Sequence, residues 1–87
     1  MAIRARKLDK SVHSAGQTAF CELIIKARKS AGLTQYELGK RLHKPQSFVA
    51  KYEGGERRVD VVEFIEICKA MEADPNKLLR VLIQRMA

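Results

Sequence analysis

Residues 43–58 read HKPQSFVAKYEGGERR, and Gln46 and Ser47 follow directly on Pro45, between Lys44 and the pair Arg57–Arg58. An amide and a hydroxyl on the opening turn of a helix do not build a core; they are hydrogen-bonding groups presented outward. A glutamine amide offers a donor and an acceptor that match N7 and the N6 amino group of an adenine edge. Such a paired contact discriminates against the wrong base by about 1–3 kcal/mol. Ala50, one turn further on, leaves room for close approach, and its methyl suits a thymine methyl. Lys51 extends the same face. Lys44, Arg57 and Arg58 flank the segment with charges that neutralise phosphates and add affinity without reading sequence. Each of these residues alone is also an ordinary solvated surface position; the reading rests on their joint spacing.

To present those groups, a helix must start at Pro45, where a first helical position makes the missing amide hydrogen harmless. At about 100° per residue, Pro45, Phe48, Val49 and Tyr52 share one arc, and Gln46, Ser47, Ala50 and Lys51 share the opposite one. Gly54–Gly55 end the helix. The preceding helix is predicted from Gln35 to Leu42. Thr34 and Glu37 form a capping box at its start, and Leu33 staples against Leu38. Lys44 precedes a proline and is biased away from helical geometry, so the helix cannot pass through it. His43 takes the turn, as one of the non-glycine residue types that tolerate positive φ. Two helices joined by a turn of roughly three residues make a helix-turn-helix, whose second helix lies in the DNA major groove.

The remaining elements are helical too. Phe20, Leu23, Ile24, Ala27 and Ala31 recur on one face of a first helix that Gly32 stops. A fourth helix opens on the capping box Asp60–Glu63, with Val61, Phe64, Ile65, Cys68 and Met71 as its apolar face. A fifth opens at Asp74 with Pro75 in its first position. Leu78, Leu79, Val81, Leu82, Ile83 and Met86 are six apolar residues among the nine from 78 to 86. That exceeds what one core-facing stripe needs. The surplus points to a second copy of the chain, with Leu78, Leu79, Leu82, Ile83 and Met86 as the expected interface. The fold expected is all-α, with five helices and no strand. Residues 1–13 read as a flexible basic arm, 14–87 as the domain, and helix 75–87 as a dimerisation element.

With 87 residues, 46% of them hydrophobic and no tryptophan, the chain suits one small domain with a largely aliphatic core. Its formal net charge of +7 attracts polyanions at long range. The charge is uneven: residues 1–13 and 34–58 each sum to +3, and residues 59–76 sum to −4. A polyanion is therefore held by the first two segments and repelled by the third. Cys21 and Cys68 have no close-spaced partner, so zinc and redox motifs are absent. Together with His13 and His43 they form no nucleophile–base spacing. Neither an enzyme nor a cofactor or metal is expected. No secretion signal or membrane span is visible, which reads as a cytoplasmic protein without a membrane partner.

The stretches LTQYELGKRL, PQSFVAKYEGGERR and DVVEFIEICKAM resemble the bacterial and phage Cro/CI-type helix-turn-helix regulators, the XRE family, over roughly residues 20–80. The resemblance implies a five-helix, lambda-repressor-like domain that binds double-stranded DNA. It implies a small stand-alone transcriptional regulator reading the major groove with helix 45–53; with the second copy read from the last helix and the small size of the chain, the leading expectation is a repressor acting as a homodimer. The resemblance further implies that Gln35 holds a phosphate and braces Gln46, that Gln46 meets an adenine, and that Ser47 meets a neighbouring base. Lys51 would reach a base or phosphate further along, and Arg28 and Glu53 would form a buried ion pair. His43 departs from the glycine common at that turn. Two alternatives stay open on the same fold: an antitoxin that binds a protein toxin and autoregulates, and a protein-interaction module that does not read DNA.

Overall fold

In the computed structural model, which describes residues 14–87, the chain forms five α-helices and, among the described residues, no strand. They are α1 (Ala15–Ser30), α2 (Gln35–Arg41), α3 (Gln46–Glu53), α4 (Val61–Met71) and α5 (Pro75–Met86). The basic arm expected over residues 1–13 lies outside the described residues.

Four of the five helices begin on a side chain that accepts from their free amides. Ser14 accepts from the Gln17 amide and Asp74 from that of Asn76. Thr34–Glu37 and Asp60–Glu63 each form a reciprocal capping box, which satisfies two otherwise orphaned donors at once. α3 is the exception. Pro45 is its N-cap, with an extended ψ of 159° and no side-chain cap. The helix therefore starts at Gln46, one residue later than the proline rule places it. The Phe48 amide donates to the Pro45 carbonyl at 3.0 Å, and the amides of Gln46 and Ser47 before it have no side-chain cap.

Helix ends use the left-handed conformation. Gly32 and Gly55 adopt φ of 75° and 79°, and His43 and Glu72 adopt φ of 57°. His43 thus takes the turn between α2 and α3 as its residue type allows. A β-carbon in that conformation costs about 1–2 kcal/mol, partly offset in a glycine variant by the greater freedom of its unfolded chain. His43→Gly is accordingly expected to stabilise the domain by about 1 kcal/mol and raise its melting temperature by a few degrees. Thermal unfolding of the two proteins checks this; a lower melting point for the variant would show that the imidazole makes a compensating contact.

Gly39 serves a different need. A β-carbon there would lie 2.9 Å from the Lys44 carbonyl oxygen and 3.3 Å from the Pro45 carbonyl carbon and oxygen. The absence of a side chain lets α2 close directly onto the turn. It also permits the Lys44 amide to donate to the Gly39 carbonyl at 2.9 Å.

The core consists of Ile24, Leu33, Leu38, Val49, Tyr52, Phe64, Ile67, Cys68 and Met71. Here the expected face of α4 needs correction. Val61 is 73% exposed and Ile65 38%, while Ile67, unassigned by the periodicity, is buried. Phe64, Ile67, Cys68 and Met71 at i, i+3, i+4 and i+7 are the stripe that meets the core, and Val61 and Ile65 fall on its flank. Both cysteines behave as small core residues. Burial pushes the Cys68 thiol up to about 11 and raises that of Cys21 as well. Both thiols stay protonated at neutral pH, the unreactive form.

Candidate nucleic-acid interface

A chain of hydrogen bonds runs from the interior of the domain to the first turn of α3. Arg28, on α1, and Glu53, the last residue of α3, are buried together. Arg28 Nε donates to Glu53 Oε2 at 2.7 Å and Nη2 donates to Oε1 at 3.0 Å. Its Nη1 donates to the Leu33 carbonyl at 2.9 Å. The guanidinium is thereby held even more firmly protonated than usual, chiefly through its bond to Glu53. The pair ties α1, before the motif, to the end of α3.

Glu53 then acts on Gln35. Gln35 Nε2 donates to Glu53 Oε1 at 2.9 Å, and Gln46 Nε2 donates to Gln35 Oε1 at 3.3 Å. An ionised carboxylate only accepts, so Gln35 must turn its amino group inward and its carbonyl toward Gln46. That orientation in turn draws one N–H of Gln46. The second N–H and the carbonyl oxygen of Gln46 are left for a partner, and the residue is exposed. Amide orientations are ordinarily a choice between two fits; here the carboxylate makes the choice. The outcome is an exposed donor and acceptor side by side.

Ser47 and Lys51 are exposed on the same side of α3, with Ala50 half-buried between them. The uncapped start of α3 adds open N–H groups at the positive end of its dipole. Phe48 is half-buried, as the arc containing Val49 and Tyr52 requires, and packs edge-on to Tyr52 with ring centroids 5.6 Å apart.

The basic flanks divide. Lys44 and Arg58 are exposed. Arg57 is engaged: it donates to both carboxylate oxygens of Glu63, at 3.1 and 2.6 Å, and to the Arg58 carbonyl at 3.0 Å. Its guanidinium lies 4.7 Å from the Phe48 ring centroid, and Lys44 Nζ lies 5.5 Å from it. Arg57 also holds the Glu63 carboxyl below the usual range, with help from the Asp60 amide. Arg57 thus fastens the end of the motif to the start of α4, while the adjacent Arg58 stays available.

The apolar residues of α5 divide similarly. Leu78 packs against the core, and Leu82 lines a small cavity with Phe20, Leu23, Ile24 and Phe64. Leu79, Ile83 and Met86 are 43%, 67% and 55% exposed. Of the five expected interface residues, Leu79 and Ile83 face outward, whereas the Met86 side chain lies over Gly16 of α1 with part of its surface open.

Sequence reasoning passed over Gly39, although a glycine inside a short helical pattern is a signal of close backbone approach. It also gave Arg57 and Arg58 the same role, and Glu63, six residues beyond Arg57, was the clue that separates them.

The helix-turn-helix family model matches residues 24–78. An XRE-family like protein from Pseudomonas syringae pv. tomato is 45% identical and has a TM-score of 0.80 over 87% of this chain and 93% of its own. The restriction-modification controller protein C.AhdI from Aeromonas hydrophila is 25% identical, with a TM-score of 0.65 over 76% of this chain and 99% of that one. The clp gene regulator ClgR from C. glutamicum, 20% identical with a TM-score of 0.74 over 86% and 97% of the two chains, shares the fold. No curated protein sequence matches.

Proposed function

Since this chain belongs to the Cro/CI-type (XRE) family of helix-turn-helix proteins and is a DNA-binding transcriptional regulator, we propose that α3 enters the major groove and that a dimer represses by occupying a promoter. The observation that carries this reading is the directed relay from Glu53 through Gln35 to Gln46. It leaves an exposed amide with its donor and acceptor ready for one base edge. Gln46 donates to adenine N7 and accepts from the N6 amino group, the paired geometry that distinguishes adenine in the major groove. Ser47 meets the next base, and Ala50 allows the helix to approach. Lys44, Lys51 and Arg58 neutralise phosphates, and Gln35 uses its second amide hydrogen on another. Arg57 serves the interface by holding the Phe48 ring and the start of α4 in place.

Selection of duplexes from a random pool by the purified protein tests the reading. An enriched pseudo-palindrome with adenine at one position of each half-site is expected. Salt-sensitive binding with no enriched sequence would mean that the charge grips DNA while α3 does not read it.

The outward flank of α5 supports the second copy. Leu79 and Ile83, at i and i+4, form an outward stripe that the half-open Met86 extends at i+7 from its seat over Gly16, and exposed large apolar side chains on a small domain are best covered by a partner. Two-fold pairing would place the two α3 helices about one or more DNA turns apart. Ile83→Asp is expected to shift the protein to the monomer mass in sedimentation equilibrium and to weaken operator binding, with its thermal unfolding as a monomer still cooperative. A dimer mass retained by the variant would move the interface off this stripe. Ile83 is the residue to change, because Leu82 faces α1 and its replacement would disturb the fold itself.

A further inference from the structure

α1, α5 and the residues leading into α4 come together around a cavity of about 250 Å³ that the relay to Gln46 does not touch. Most of its wall is apolar: Phe20 from α1, Val59 just ahead of α4, and Leu82 and Met86 from α5. Arg58 is the one charged residue on it, and no carboxylate of the described residues lines it. Arg58 also takes part in no ion pair among the described residues, whereas its neighbour Arg57 is held by Glu63. A guanidinium matches a carboxylate or phosphate through two parallel hydrogen bonds, and here that capacity is unused beside an apolar hollow.

Gln17 supplies a second unmet group. It lines the same cavity, and its Nε2 is closed off from water without a hydrogen-bond partner among the described residues. The Cys21 thiol, which the amide approaches one turn along α1, is only a weak acceptor. A buried donor costs stability until an acceptor reaches it.

We propose that this cavity binds a small monocarboxylate with a short apolar body. The carboxylate sits on Arg58 and draws the Gln17 amide, and the hydrocarbon lies against Phe20, Val59, Leu82 and Met86. Drug-sized ligands occupy cavities of about 300 Å³ or more, so the occupant is smaller than these. An inorganic anion would leave the apolar wall wet, and a neutral hydrocarbon would leave Arg58 and Gln17 unmet. The consequence for regulation rests on the reading of Arg58 as a phosphate contact. A bound carboxylate neutralises the guanidinium, so the ligand loosens the grip on DNA.

Octanoate is the probe, and the methyl group of Met86 is the reporter. The chain has three methionines, of which Met86 lines the cavity and Met71 lies in the core. In protein carrying isotope-labelled methionine methyls, octanoate should produce a saturable shift of the Met86 resonance and leave that of Met71 nearly in place. Octan-1-ol, with the same chain and no charge, should bind at least about tenfold more weakly, the scale of a charge-assisted pair. Arg58→Gln should bring octanoate down to the level of octan-1-ol and should melt as the parent does, since the side chain is exposed. Gly16→Ala checks the place independently. Its β-carbon would lie 2.8 Å from Met86 Cε, so the methyl must shift and both compounds should bind less well.

Saturating octanoate should also weaken binding of the parent to its selected duplex. It should flatten the dependence of log affinity on log salt by about 0.9 for each Arg58 neutralised, hence by about 2 for a dimer. Arg58→Gln should show no response of duplex binding to octanoate. An unmoved Met86 methyl at millimolar octanoate overturns the site and leaves the reading of α3 standing. Equal affinity for octanoate and octan-1-ol would also overturn it, since the hollow would then take hydrocarbon without recognising a carboxylate. Octanoate bound as expected by a protein that selects no duplex would keep the site and remove the reading of α3.

Discussion

Replacing Arg28 with alanine is expected to remove about 3–5 kcal/mol of folding stability. Both Arg28 and Glu53 are buried, with side chains only 10% and 4% exposed. Each ion lost solvation on folding and recovers it chiefly through the other, with the Leu33 carbonyl and the Gln35 amide as lesser partners. Without the guanidinium, Glu53 is an uncompensated carboxylate in the interior, and the Leu33 carbonyl loses its donor. A domain of this length has roughly 4–13 kcal/mol of stability in total, at about 0.05–0.15 kcal/mol per residue. The loss would leave a large fraction unfolded at the lower end of that range. Chemical denaturation with the slope held constant measures it; a loss below about 1 kcal/mol, the scale of a solvated surface pair, would show that water reaches the pair.

The same pair separates folding from reading. A well-packed apolar pair of similar volume often replaces a buried ion pair without loss of stability. Arg28→Met combined with Glu53→Leu should therefore recover most of the stability missing from the single variant. It removes the acceptor that orients Gln35, so the exposed amide of Gln46 is no longer held in one orientation.

Gln46→Ala carries the second large effect, on binding alone. Without its paired base contact, discrimination for adenine at one position of each half-site should fall by about 1–3 kcal/mol, roughly five- to 150-fold. Preference at the other positions should survive, and the salt dependence should be that of the parent because every phosphate keeps its partner. The melting temperature should hardly move, since the side chain is exposed. Competition binding against duplexes varied one position at a time gives the profile. Uniform weakening across every duplex would instead make Gln46 a backbone contact.

Much of the fold was legible because its signals are local. Thr34–Glu37 and Asp60–Glu63 mark helix starts by hydrogen bonds within four residues, and Gly32 and His43 mark ends through their own backbone preferences. The outward arc of α3 followed from helical geometry. Less legible was the rotational phase of α4. Val61, Ile65 and Ile67 are all apolar and β-branched, and only packing against the core residues of the other helices, Leu38 among them, decides which of them is buried. Glu72, a left-handed helix end without glycine, carried no signal of its own. α5 shows the same limit: its surplus of apolar residues was visible, but the division between Leu78, Leu82 and the Met86 side chain, turned to the domain, and the outward Leu79 and Ile83 depends on where α1 lies. In the interface, residue types identified Gln46 as a base-reading group. The direction of its amide depends on Glu53 and Gln35, seven and eleven residues away in opposite directions, and that is a property of the folded chain.

Whether a pre-oriented Gln46 amide meets an adenine edge is tested most directly by a cycle of two proteins and two duplexes. In one duplex the adenine of the selected half-site is replaced by 7-deazaadenine, which lacks the N7 acceptor but keeps the N6 amino group. The parent protein should lose about tenfold in affinity, in the range of one good base contact. Gln46→Ala, having no amide to lose a partner, should bind both duplexes equally. Equal losses for the two proteins would contradict the account, because the N7 contact would then belong to another residue.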